Sequence, residues 1–419
     1  MRMIVSTAAV SALALAAAAG AAEPKAITFT TKSEEARAQA REAIRRVESF
    51  APGAQIQEAA KKAVAADPEF AWAHYLVGVS TFPAADAKPH HEKALELVKK
   101  ASPGEQKYLE AVALNRAQKP AEALAAFEAL RTEYPDERMV HMMIGQISLG
   151  QGKLDQARTS FEKAIALDGS TARAYALVGN AYILGGDYAK ARQSLQTALS
   201  KKAAGIAPGG VYFPLALSYV YEGNPDGALT AMRTFLDEYK KTGADGQFPE
   251  VFIWNAMARV NLENNRLEEA MRCYQKGYES VPASSLSETE KKVWLGRLHH
   301  GTGRTLARMG KHKEAWAEAE TLKKMIDEGG DEGKQYVPAY HYLAGYLKLE
   351  AGEYPAAIEH LKQAHNDDPF HQLLLARAYE KSGDKVNAKK VYEEVTNFKT
   401  NNLERALSYP EAKKKASAL

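Results

Sequence analysis

Between residues 138 and 203 the apolar residues recur in a fixed register. Gly145, Ala157, Phe161 and Ala164 are followed, 34 residues on, by Gly179, Ala191, Leu195 and Ala198. Small and bulky apolar residues at these offsets predict paired helices in close contact. Seven further pairs place a Gly or Asn five residues before an Ala: Gly152/Ala157, Gly186/Ala191, Gly223/Ala228, Asn265/Ala270, Gly310/Ala315, Gly352/Ala357 and Gly383/Ala388. A helix that stops and reverses needs a residue in the left-handed conformation, which Gly and Asn tolerate best. The returning helix needs a small residue one turn in to approach its mate. Each pair therefore predicts a helical hairpin, and their recurrence predicts an array of hairpins.

The register resembles that of tetratricopeptide repeats, whose signature has small residues at repeat positions 8, 20 and 27. It also has a larger apolar residue at 24 and often Pro at 32. Repeat starts fall near 71, 104, 138, 172, 209, 251, 296, 338 and 369. Position 24 is then Phe127, Phe161, Leu195, Met232, Tyr274, Ala319, Leu361 and Tyr392 from the second start onward, and Pro135, Pro282 and Pro369 take position 32. The resemblance implies an all-α, right-handed superhelix of about nine to ten helical hairpins, of the kind found in exported bacterial members of the family.

Spacing departures divide the chain. Residues 33–103 predict atypical N-terminal hairpins, with 33–66 as a first hairpin capping the stack and Phe82 to Pro89 lengthening the next turn. In that irregular repeat His91 and Ala94 take positions 24 and 27. Regular repeats occupy 104–203. Repeats with longer connections fill 209–398, the extra residues falling in Ala203–Gly210, Lys240–Gln247, Pro282–Glu290 and Asp327–Tyr336. Residues 399–419, with Lys413-Lys414-Lys415, read as a polar cap or tail. Ser102-Pro103-Gly104-Glu105 and Ser287-Glu288-Thr289-Glu290 carry helix-start chemistry, a Ser with Glu three residues on.

Residues 1–22 have another logic: Arg2, an apolar Ala- and Leu-rich run from Val5 to Ala19, and small residues Ala19 to Ala22 ahead of Glu23-Pro24. That is the layout of a cleavable signal peptide, so the expected location is periplasmic or secreted, with no stable membrane insertion after cleavage. The single Cys273 excludes an intrachain disulfide, leaving packing to hold the fold. A formal net charge of +3, from 55 basic and 52 acidic residues, argues against a nucleic-acid partner.

The chain offers little chemistry. Gly150-Gln151-Gly152-Lys153 lacks the spacing and the Ser or Thr of a phosphate loop, and Leu95 stands where a zinc-protease motif begun at His91-Glu92 needs its second His. No catalytic residue, cofactor or metal ligand is expected. His74, His141, His299 and His341 all fall at repeat position 4; as metal ligands they would sit on helices too far apart to share an ion, which favours imidazoles packed between hairpins.

The family resemblance implies a concave face lined by positions 2, 5, 9, 12 and 13 of each first helix. Those positions hold Trp72, Tyr75, Phe82, Tyr108, Phe213, Tyr221, Phe252, Tyr342, Tyr346 and Phe370. Such aromatics serve either recognition or packing between repeats. Arg297, His300, Arg304 and Arg308, spaced i, i+3, i+7, i+11, form a stripe, with Arg259 and Arg377 at comparable positions. The stripe is either a solvated face neutralised by Glu263 and Glu350 or a receiver for an acidic partner. The expected role is a non-catalytic scaffold that holds a protein or peptide, with an acidic one suited to the stripe. Small-ligand or metal binding, self-association into homo-oligomers and a hydrolase grafted on the solenoid stay open as alternatives.

Overall fold

The computed structural model describes residues 25–82, 84–242 and 249–419; the expected signal segment lies outside them. Ten antiparallel hairpins follow one another among the described residues. The first five are α1 (Glu34–Glu48) with α2 (Gly53–Ala66), α3 (Ala71–Ser80) with α4 (Ala84–Leu97), α5 (Pro103–Arg116) with α6 (Pro120–Glu133), α7 (Arg138–Gly150) with α8 (Leu154–Leu167), and α9 (Ala172–Gly185) with α10 (Tyr188–Lys201). Next come α11 (Gly209–Tyr221) with α12 (Pro225–Thr242), α13 (Glu250–Glu263) with α14 (Leu267–Glu279), and α15 (Glu288–Arg308) with α16 (His312–Glu328). After a short α17 (Gly330–Gly333), α18 (Val337–Glu350) pairs with α19 (Tyr354–Leu361) and α20 (Pro369–Lys381) with α21 (Lys385–Thr396). A last helix, α22 (Leu403–Ala418), has no hairpin mate. The second helix of nearly every hairpin packs on the first helix of the next, which makes the stack a solenoid.

The local rules account for this arrangement. All seven Gly and Asn turn residues have positive φ, from 59° at Asn265 to 90° at Gly383. The small residue at position 8 lets the mates touch. A Cβ on Gly145 would stand 2.5 Å from the Phe161 ring, and one on Gly179 would stand 2.8 Å from Leu195 Cγ. Gly345 meets Leu361 at 2.6 Å in the same way, and in the irregular second hairpin Gly78 meets the His91 imidazole at 2.5 Å. Phe127, Phe161, Leu195 and Tyr392 are fully buried as the position-24 fillers.

Both helix-start signatures form complete capping boxes, at Ser102/Glu105 and Ser287/Glu290. The second changes the picture of Pro282–Glu290. Its last residues are helical because the Ser287 box starts α15 eight residues before the repeat start at 296, giving a helix of 21 residues. The extra residues at that site partly lengthen a helix instead of a loop.

Three segments depart from a simple stack. Residues 25–31 run extended over the first helices: Ile27 N–H donates to Glu137 at 3.0 Å, Thr30 N–H to Glu105 at 2.8 Å, and Phe29 lies 5.2 Å from the Trp72 ring. The end of α1 also reaches far along the stack. Glu48 pairs with Arg138 of α7, and Ser49 O accepts from Ala203 N–H beyond α10. At the other end α22 packs on α20, α21, α11 and α13. Residues 399–419 thus form an extended link and a helix laid along the inside of the superhelix, against the last hairpin and against one nearly 200 residues earlier in sequence.

Candidate functional site

In the C-terminal half, the first helices α11, α13 and α20 carry the side chains that meet α22. Arg259 of α13 pairs with Glu404 at the start of α22, and its guanidinium stands 5.0 Å from the Phe370 ring. Arg377 of α20 holds Glu411 through both carboxylate oxygens, Nε to Oε1 at 2.9 Å and Nη2 to Oε2 at 2.6 Å. Two-point contact of this kind is what a guanidinium fork makes with a carboxylate. In return Arg405 of α22 donates to the Tyr221 hydroxyl at 2.9 Å and to Phe398 O at 2.7 Å, and lies 4.1 Å from the Tyr409 ring. Lys415 pairs with Glu380 at the far end of the helix.

The electrostatics follow from these pairs. Burial alone would raise the Glu404 carboxyl, but the guanidiniums of Arg259 and Arg297 beside it hold it below the ordinary range. Burial pushes the Tyr221 hydroxyl up to about 12, only partly opposed by Arg405, so it stays protonated while it accepts from Arg405.

The Arg stripe on α15 divides by environment. Arg304 is only 4% exposed. Its two terminal nitrogens donate to Tyr342 at 2.8 Å and Tyr274 at 3.0 Å, tying three successive hairpins together. The rings of His300 and His371 flank Tyr342 at 4.4 and 3.8 Å. Burial, reinforced by Arg304 and Arg259, drives the His300 imidazole well below its usual value, and burial drives His371 down to about 3. Both are therefore neutral members of a buried Arg–Tyr–His cluster. Tyr346 is buried in the same cluster, with Arg304 5.9 Å from its ring. Arg308 is half-buried and donates to Asn265 at 3.2 Å. Arg297 alone of the stripe is exposed, stacked 4.6 Å from the Trp294 ring.

The remaining aromatics split in the same way. Phe252 makes an edge contact with Trp294 at 4.7 Å and Phe213 one with Phe235 at 5.6 Å. Trp72, Tyr108 and Phe370 are buried between repeats, and residues 25–31 cover the first of them. Phe82 is 93% exposed beside the irregular turn. The position-4 histidines act locally. His74 and His141 meet the carbonyls of Pro68 and Pro135, at 3.0 and 2.8 Å. His299 pairs with Glu318, and His341 with His360. Among the described residues no group of three or more His, Cys, Asp or Glu is placed to hold a metal, and no helix is long and apolar enough to cross a membrane.

Sequence reasoning missed Glu404, Arg405 and Glu411. The available signal was the run of small residues Ala406, Ser408 and Ala412, which become the buried side of α22.

Residues 108–154, 142–210, 213–285 and 342–402, together more than half of the chain, match the family profile described as tetratricopeptide repeat. No curated protein matches the chain. Among solved structures, it is similar to a tetratricopeptide repeat protein from Parabacteroides merdae, at 17% identity over 66% of this chain and 98% of that one, with a TM-score of 0.48. It is also similar to PilW, a type IV pilus biogenesis factor, at 17% identity over 56% and 97% of the two chains, TM-score 0.41. Yeast Tom70 aligns at 11% identity over 92% and 90%, TM-score 0.44.

Proposed function

The chain belongs to the tetratricopeptide repeat family, whose members generally mediate protein–protein contacts, and from that premise we propose that it is a non-catalytic scaffold. It acts in the bacterial envelope, outside the cytoplasm, and holds a protein or peptide partner on its concave face. The observation that carries this reading is the set of guanidiniums on the first helices: Arg259 and Arg377 already grip carboxylates, and Arg297 stands exposed on the same side. Rigid stacked hairpins hold these groups in place before a partner arrives, so little side-chain entropy is lost on docking. An acidic partner suits them.

Arg297 is the residue with which to test the proposal, because its head is exposed while Arg304 is built into the interior. Arg297→Glu should lose partner capture from an envelope extract, with the loss largest at low salt as for a charge at an interface rim, and should melt somewhat lower than wild type because Arg297 also lies beside Glu404 of α22. Equal capture by the two proteins would remove this face from the model.

A further inference from the structure

The helix on the concave face differs in kind from the repeat helices around it. The buried residues of α22 are Leu403, Arg405, Ala406, Ser408 and Ala412. Its apolar anchors are Leu403 and Leu407, with the Tyr409 ring 6.3 Å from Tyr221, and they join the cores of the hairpins at both ends of the helix. Its specific contacts are polar and charged: Glu404 with Arg259, Glu411 with Arg377, Arg405 with Tyr221 and Lys415 with Glu380. Its link to α21, residues 397–402, is non-helical, polar and held lightly. Lys399 reaches Gln151 O at 3.2 Å and Asn401 reaches Asn180 at 2.7 Å, leaving the Asn401 Oδ1 buried without a partner.

The paired charges fix one register for α22 on this face, and its aliphatic contacts set what a competing segment must match. Glu404 and Glu411 are seven residues apart, which places both on one helical face two turns from each other. When α22 leaves, Arg259, Arg297 and Arg377 lose the carboxylates facing them. An incoming group must then supply two negative charges at the same separation, because Asp368 near Arg259 and Glu263 near Arg377 offset only part of the two buried positive charges.

We infer that α22 is an exchangeable intramolecular stand-in for the partner. The C-terminal half of the groove takes a helical segment that carries two carboxylates seven residues apart and small residues between them, and that segment enters by displacing α22. This rests on the scaffold reading above and names the partner's chemistry and its control: the free protein is held occupied, and only a segment that outcompetes a tethered helix gains the site. Tethering adds to the strength of α22 as a competitor, since its effective concentration is set by the link.

The test uses the full chain and a fluorescent peptide spanning residues 399–419. Wild type should bind the peptide weakly. The Glu404→Gln/Glu411→Gln protein, with its own helix loosened, should bind it about tenfold more tightly, as expected from weakening two half-buried ion pairs. The same peptide carrying both Gln substitutions should not bind either protein. Equal affinity of the two proteins, or of the two peptides, overturns the inference. Hydrogen exchange on wild type gives a second readout that needs no variant: amides of 403–418 should exchange faster than those of α20 and α21, and equal protection also overturns it. A concentration-dependent dimer that the peptide dissolves would make a second copy's α22 the occupant and overturn the commitment to a separate partner. The scaffold reading fails separately: it falls with unchanged capture by Arg297→Glu while amides of 403–418 in that variant exchange as in wild type.

Discussion

Gly145→Ala is expected to destabilise the protein by about 2 kcal/mol, although Gly→Ala inside a helix ordinarily stabilises by about 1 kcal/mol. The added methyl would stand 2.5 to 2.8 Å from three carbons of the Phe161 ring, and that ring is fully buried in the hairpin of α7 and α8. Overpacking of a closed site costs about 1–3 kcal/mol, and a ring with no exposed edge belongs at the upper end. Phe161→Leu alone should cost about 1 kcal/mol as a smaller filler. The double variant should be less destabilised than the sum of the two, because Leu vacates the space the methyl needs, as Leu195 does beside Gly179. Urea melts of the four proteins decide the matter. Strict additivity, or a stabilised Gly145→Ala, would show that contact between the mates does not limit this position.

Stability should fall steeply between pH 6.5 and pH 4.5, with His371 contributing on the order of 2–3 kcal/mol of the loss. The unfolded chain takes up a proton on this imidazole near pH 6.5. In the folded protein it does so only near 3, because burial beside Tyr342 and the guanidiniums of Arg259 and Arg304 opposes the charge. The unfolded state therefore binds more protons throughout that interval, and the folded state loses ground as pH falls. His300, whose shift has the same direction, adds to the slope. Asp368, raised by burial, takes its proton early in the folded state and offsets part of it at the acid end. Glu404, held low by its guanidiniums, adds a further loss below the ordinary carboxylate range, where α22 loosens. His371→Phe keeps a ring against Tyr342 and cannot titrate, so thermal melts across the interval should show a flatter dependence. An unchanged slope would place the titration elsewhere.

The hairpins were legible because each is set by residues within one repeat. A turn residue that accepts positive φ, a small residue where helices cross and a large one beside it occupy fixed offsets. The same local logic reached the capping box at Ser287, and the structure used it to begin α15 early. The concave face was legible only as a stripe. Spacing shows that Arg297, Arg304 and Arg308 share one side of a helix. It does not show that Tyr274 and Tyr342, from the hairpins before and after, close over Arg304 while Arg297 stays open. Residues 403–418 were the least legible. Their partners lie up to about 180 positions away, and the short apolar period of Leu403, Ala406 and Leu407 does not tell which hairpins it packs on.

The placement of α22 also alters how the stack comes apart. A solenoid held by neighbour contacts frays from its ends, one hairpin at a time. Here a single helix is tied to Tyr221 at one end and Glu380 at the other, so it bridges hairpins that are otherwise linked only through those between them. Under a pull on the trailing segment that brace peels first, as a mechanical fuse, and the hairpins behind it unzip only after it has gone.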